Sequence, residues 1–164
     1  MIRRTALMLS VALALGAAPA FANEEVRNVE RFSDLPLDVQ VPIARFLVNA
    51  KIFEIEEAKA HKVTEIKVVY ERKHKLHELI WDATNKKFLG GTEPEVLKEV
   101  LAKLPASAQQ AIQDRKGHQK IDHLKIKHSD TDDHEYVHVH FINENGRKTD
   151  IKLEMDGSPV ANKA

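Results

Sequence analysis

The stretch Glu135-Tyr136-Val137-His138-Val139-His140-Phe141-Ile142-Asn143-Glu144-Asn145-Gly146-Arg147-Lys148-Thr149-Asp150-Ile151-Lys152-Leu153-Glu154-Met155-Asp156-Gly157 decides the fold class. Val137, Val139 and Phe141 alternate with Tyr136, His138 and His140, and Ile151, Leu153 and Met155 alternate with Asp150, Lys152 and Glu154. A period of two puts one set on a buried face and the other in water. Asn145-Gly146, between the two runs, predicts a hairpin, and Asp156-Gly157 closes the second strand. A half-polar antiparallel sheet needs cover on one face only.

Working outward, Ile66, Val68 and Tyr70 alternate with Glu65, Lys67 and Glu71 in the same way. Val39, Ile43, Phe46 and Leu47 instead fall at helical spacing, as do Ala108, Ala111 and Ile112. Each helical stretch opens on Leu-Pro, Leu35-Pro36 and Leu104-Pro105, with proline favoured in a first turn. Sliding the chain by 69 residues superposes these pairs, and also Glu30 on Glu99, Gln40 on Gln109, Ile43 on Ile112 and Lys51-Ile52 on Lys120-Ile121. Seven of the 23 positions from 30 to 52 are then identical, where chance gives about one or two. Gly90-Gly91 ends the first unit, and Thr92-Glu93-Pro94-Glu95 reads as a capping box for a helix carrying Val96, Leu97, Val100 and Leu101. The expectation is therefore an α+β chain of two tandem repeats, residues 23–91 and 92–164, each with a helix packed on an antiparallel sheet of about four strands.

The chain of 164 residues opens on Met1-Ile2-Arg3-Arg4, an apolar run from Thr5 to Ala18, and Ala20-Phe21-Ala22. This is the grammar of a cleavable secretory signal, residues 1–22, with a run too short to span a bilayer. Cleavage after Ala22 predicts a periplasmic or secreted product with no membrane span. The remaining 142 residues carry 23 basic and 25 acidic side chains and no cysteine. That balance lacks the clustered basic surface of a nucleic-acid binder, and disulfides are excluded.

A Leu-Pro helix, a Lys-Ile strand start, an aromatic-bearing strand (Val68-Val69-Tyr70; Glu135-Tyr136-Val137) and a strand ending at Asp82 or Asp156-Gly157 together resemble the PepSY-like, β-lactamase-inhibitor-protein-like exported proteins of bacteria. The resemblance runs from about Val26 to Val160. It departs at Pro42, inside the first helix, and at Asp82-Ala83-Thr84, which lacks the glycine. It implies a helix on a four-stranded sheet in each unit and a role in binding other proteins, as pro-segments that restrain peptidases do, or inhibitors that clasp an enzyme across an open sheet face.

Six of nine histidines lie between 118 and 140. Strand parity sends His138 and His140 outward together, joined by His123 and Lys125 and flanked by Tyr136, Lys152 and Glu154. Two readings follow. His123, Lys125, Tyr136, His138, His140 and Lys152, with the lone Trp81 as an aromatic anchor, form a candidate surface for an unidentified periplasmic or extracellular protein, such as a peptidase to be inhibited. Alternatively His138 and His140, with His128 and His134, form a periplasmic transition-metal site or sensor for zinc, nickel or copper, although no cofactor is required. A solvated face that happens to use histidine gives the same pattern. His74 and His77 read as a charged hairpin rim, and Glu56-Glu57 and Asp132-Asp133 as solvated acids. Asp130-Thr131-Asp132 opens like a calcium loop, but Glu135 stands where that loop requires glycine. The chain has no Gly-x-Ser-x-Gly, phosphate loop, His-Glu-x-x-His or cysteine nucleophile, so the expectation is a non-catalytic protein.

Overall fold

The computed structural model describes residues 25–60, 62–129 and 134–161. The predicted export signal, the cleavage site, His61 and the acids Asp130 to Asp133 lie outside them. Eight strands, β1 (Glu25–Asn28), β2 (Lys51–Ala60), β3 (Val63–Arg72), β4 (Lys75–Asp82), β5 (Lys87–Gly91), β6 (Lys120–His128), β7 (Glu135–Ile142) and β8 (Lys148–Glu154), form one antiparallel sheet in chain order. Helix α1 (Leu37–Ala44) joins β1 to β2, while α2 (Pro94–Lys103) and α3 (Ala106–Lys116) join β5 to β6.

The expectation of two tandem units, each a helix on its own sheet, is corrected by the pairing of β5 with β6. Gly90 faces Lys125 and Gly91 faces Leu124, so hydrogen bonding runs through the point read as the end of the first unit. The absence of side chains is what allows this. A Cβ on Gly90 would stand 2.0 Å from the Leu124 carbonyl oxygen, and one on Gly91 would stand 2.3 Å from that of Glu78. Gly-Gly punctuates many chains; here it is the splice.

Local devices nonetheless recur 69 residues apart. Pro36 and Pro105 precede α1 and α3 with the same extended backbone. The Gln40 side chain donates to the Leu35 carbonyl at 2.6 Å, and that of Gln109 donates to Leu104 at 2.8 Å. Register shifts fall between Ile52 and Glu54 and between Ile121 and His123. Each bulge restores outward parity to the charged residues that follow.

The inward sets pack as the alternation requires. Ile66, Val68, Tyr70, Leu79, Trp81, Phe88, Leu124, Val137, Val139, Phe141 and Leu153 join Val39, Ile43, Phe46, Val96, Val100, Ala108 and Ile112 in one core. The edge of Phe46 meets Phe88 with ring centroids 5.4 Å apart, and Phe88 meets Trp81 at 4.7 Å. Trp81, the proposed anchor, is therefore a core residue.

The capping box is also different. Glu93 takes the N-cap position of α2 and makes no side-chain cap bond. Its buried carboxylate instead accepts from the Tyr70 hydroxyl at 2.9 Å and from the Arg72 guanidinium. Thr92 extends the β5–β4 pairing, its hydroxyl accepting from the Glu78 amide at 2.8 Å. The β7–β8 hairpin turns at Asn145-Gly146 over a five-residue loop from Asn143 to Arg147, with Gly146 at φ 77° and the Asn143 side chain accepting from two loop amides.

Candidate binding face

The helices cover one face of the sheet. On the other, cross-strand neighbours line up in rows. One runs Glu56, Lys67, Ile80, Gly90, Lys125, His138, Lys152 across seven strands. A second runs Glu54, Val69, Glu78 on β2 to β4, and His123, His140, Asp150 on β6 to β8. Tyr136 lies between Lys127 and Glu154 in a third. The face is polarised: carboxylates dominate β2 to β4, while lysines and imidazoles dominate β6 to β8.

The two wings are laced over the glycines. Lys125 Nζ lies 2.7 Å from Glu65 Oε2 and His123 Nε2 lies 3.2 Å from Glu78 Oε1, each bond crossing β5. Lys67 pairs with Glu56 at 2.6 Å. Ile80, on this face beneath these spans, is buried. Burial alone would raise the Glu78 carboxyl. The His123 hydrogen bond and the charges of His123, Lys67 and Lys125 outweigh it and hold the carboxyl below its usual range.

Three imidazoles meet on the β6–β7 pair. The ring centroids of His138 and His140 are 4.3 Å apart, and those of His123 and His140 are 5.4 Å apart. His138 Nε2 donates to Asp150 Oδ2 at 3.3 Å. Burial lowers His138 to about 4, aided by the charges of His140 and Lys127 against the pull of Asp150. Burial likewise lowers His140, with His123 and Lys127 acting in the same direction. Both rings are thus held neutral near pH 7.

The structure therefore brings together six of the seven residues expected to meet a partner: His123, Lys125, Tyr136, His138, His140 and Lys152 share the open face. Trp81 does not. The expected metal set divides. His128 pairs with Glu135 in register and so has the parity of Val137, on the opposite face from His138. Its Nε2 lies 3.7 Å from Glu135, while His134 Nε2 lies 3.0 Å from Glu154. His123, absent from that set, is the imidazole that joins His140. Alternation with Leu124 and Ile126 places it on the outer face; its position directly opposite His140 is a matter of register, which alternation does not reveal. Among the described residues, no group of three or more histidine, aspartate or glutamate side chains is arranged as it stands to hold a metal ion.

One exposed feature escapes helical periodicity. Leu37 and Val41, one turn apart on α1, are 76% and 72% exposed, and Val48, in the turn beyond the helix, is 61% exposed.

No family model matches the chain, and no curated protein matches it. Among solved structures it is similar to a protein of Bacteroides vulgatus ATCC 8482, provisionally described as periplasmic and of unknown function. The match has 14% identity over 85% of this chain and 98% of the other, with a TM-score of 0.46. Among the described residues, no helix is long and apolar enough to cross a membrane.

Proposed function

We propose that this chain is an exported, non-catalytic binding module that engages a protein partner through the open face of its sheet. The observation that carries the reading is the row Lys125–His138–Lys152, with Tyr136 beside it, on a face that no helix of the described chain covers. A broad sheet face with an aromatic and long amphipathic side chains offers contact area together with charge selection. The polarised wings favour a partner whose surface carries the opposite arrangement. The Leu-Pro helix and Lys-Ile strand starts, which resemble PepSY-like exported proteins, support the same reading, and a peptidase is one partner class they suggest.

Site-specific photocrosslinking tests it. A crosslinker placed at Tyr136 or Lys152 in the native envelope should trap a discrete adduct that one at Gln110, on α3, does not. Equal labelling from both faces, or none from the sheet face, would overturn the proposal.

A further inference from the structure

We propose that His138, His140 and His123, with Asp150, form an inducible binding site for a borderline divalent transition-metal ion, copper(II) above zinc(II). This site differs from the one the sequence suggested and does not depend on a protein partner. It rests on where the backbone places four donors. His140 has His123 as its direct neighbour on β6 and Asp150 as its direct neighbour on β8, and His138 follows two residues along the same strand. Directly opposed residues have Cβ atoms about 5 Å apart. With metal–nitrogen bonds near 2 Å, two imidazoles on one ion have centroids about 4–6 Å apart. The observed separations of 4.3 and 5.4 Å fall in that span.

Two of these side chains are engaged in other hydrogen bonds, so coordination requires them to turn. His123 is turned to Glu78, and His138 Nε2 is donated to Asp150. His138 and His140 take the ion first. His123 then joins by exchanging its single hydrogen bond for a coordinate bond, and Asp150 adds a carboxylate oxygen. Lys125 and Lys152 flank His138, and Lys127 is near, which opposes a cation. Lys125 is offset by Glu65, while Asp150 and Glu78 bring negative charge to the site. Imidazole nitrogens with one carboxylate and open positions favour copper(II) over zinc(II) by the ordinary stability order of these ions.

The test is calorimetric titration of the full chain, carrying no affinity tag, with copper(II) and zinc(II) chloride, beside electron paramagnetic resonance of the copper form. One copper(II) per chain is expected, with nitrogen couplings in the spectrum. His138→Ala and His140→Ala should each weaken binding at least tenfold, and Asp150→Asn a few-fold. His74→Ala, at a side chain 99% exposed, should leave it unchanged. Paramagnetic broadening in the nuclear magnetic resonance spectrum of the unaltered chain gives a readout that needs no variant: it should centre on residues 123, 138 and 140. Absence of saturable binding, binding indifferent to both histidine substitutions, or broadening centred elsewhere would overturn the site.

Discussion

Lys125 and Glu65 are bonded across two intervening strands: the lysine on β6 passes over Gly90 of β5 and Ile80 of β4 to place its Nζ 2.7 Å from a carboxylate on β3. Only two residue pairs join β5 to β6 in the ladder. The backbone seam is short, and side-chain bonds supplement it. Both partners are about one-fifth exposed, so the pair is screened less than a surface bridge and desolvated less than a buried one. A double-mutant cycle with Lys125→Met and Glu65→Gln should give a coupling of about 0.5–1 kcal/mol, read by urea unfolding. Additive effects would mean that the pair does not brace the seam.

Gly90 should be the least replaceable residue of the sheet. The obstacle to a side chain there is the backbone of β6, since a Cβ would lie 2.0 Å from the Leu124 carbonyl oxygen and 2.7 Å from the Lys125 Cα. Neither can move without opening the two-residue seam. We expect Gly90→Ala to cost about 3 kcal/mol, measured by denaturant unfolding, as overpacking against rigid neighbours does. Gly146→Ala, where nothing lies within 4 Å, should lose only the price of its positive φ, about 1 kcal/mol. Equal losses at the two positions would contradict this account of the seam.

The same residues mark what the sequence could and could not convey. Val137, Val139 and Phe141 on one face and His138 and His140 on the other follow from a period of two, and so do the sense of β3 and β8. Helical spacing places Val39, Ile43, Ala108 and Ile112 in the core. Pairing between strands far apart in the chain has no such period. Gly90-Gly91 carries one local meaning, a break, and a different one once β6 approaches it. His123 becomes a neighbour of His140 through register, a matter of the partner strand, while His128 takes the inward parity of Leu124 and Ile126 because β6 runs on to it instead of ending in a loop. Trp81 is ambiguous for a simpler reason: an aromatic can anchor a core or an interface.

Acid should weaken the fold through the imidazole cluster. His138 titrates near 4 in the folded chain, from an ordinary value of 6.5. Between those values the unfolded chain binds the proton and the folded chain does not, so stability rises with pH across the window. It is fully present above about pH 6.5 and lost as pH falls toward 4. The largest loss this shift allows is about 3 kcal/mol. His140 is shifted in the same direction, and Glu78, held low by His123, adds a loss at lower pH still. Unfolding free energies measured with chelator present should decline from pH 7 to 4. His138→Gln should flatten that slope, and an unchanged slope would show that the cluster is not the titrating element.

Glu93 tests whether buried charge holds α2 to the sheet. Its carboxylate is 4% exposed and accepts from Tyr70 and Arg72, while His77 Nδ1 stands 3.4 Å away within ion-pair reach. Burial raises the Tyr70 hydroxyl, and the neighbouring Glu93 charge raises it further, so the phenol stays a donor throughout the ordinary pH range. Removing the acid leaves a guanidinium and a hydroxyl partly buried with no counterpart, which is the costly way to break such a network. Glu93→Ala should therefore lose about 3–5 kcal/mol. Tyr70→Phe, which deletes one hydrogen bond and keeps the ring, should lose about 1–2 kcal/mol. The order of the two values carries the test. If Glu93→Ala proves the milder substitution, water replaces the carboxylate at low cost, and the start of α2 is held by Val96 and Val100 rather than by charge.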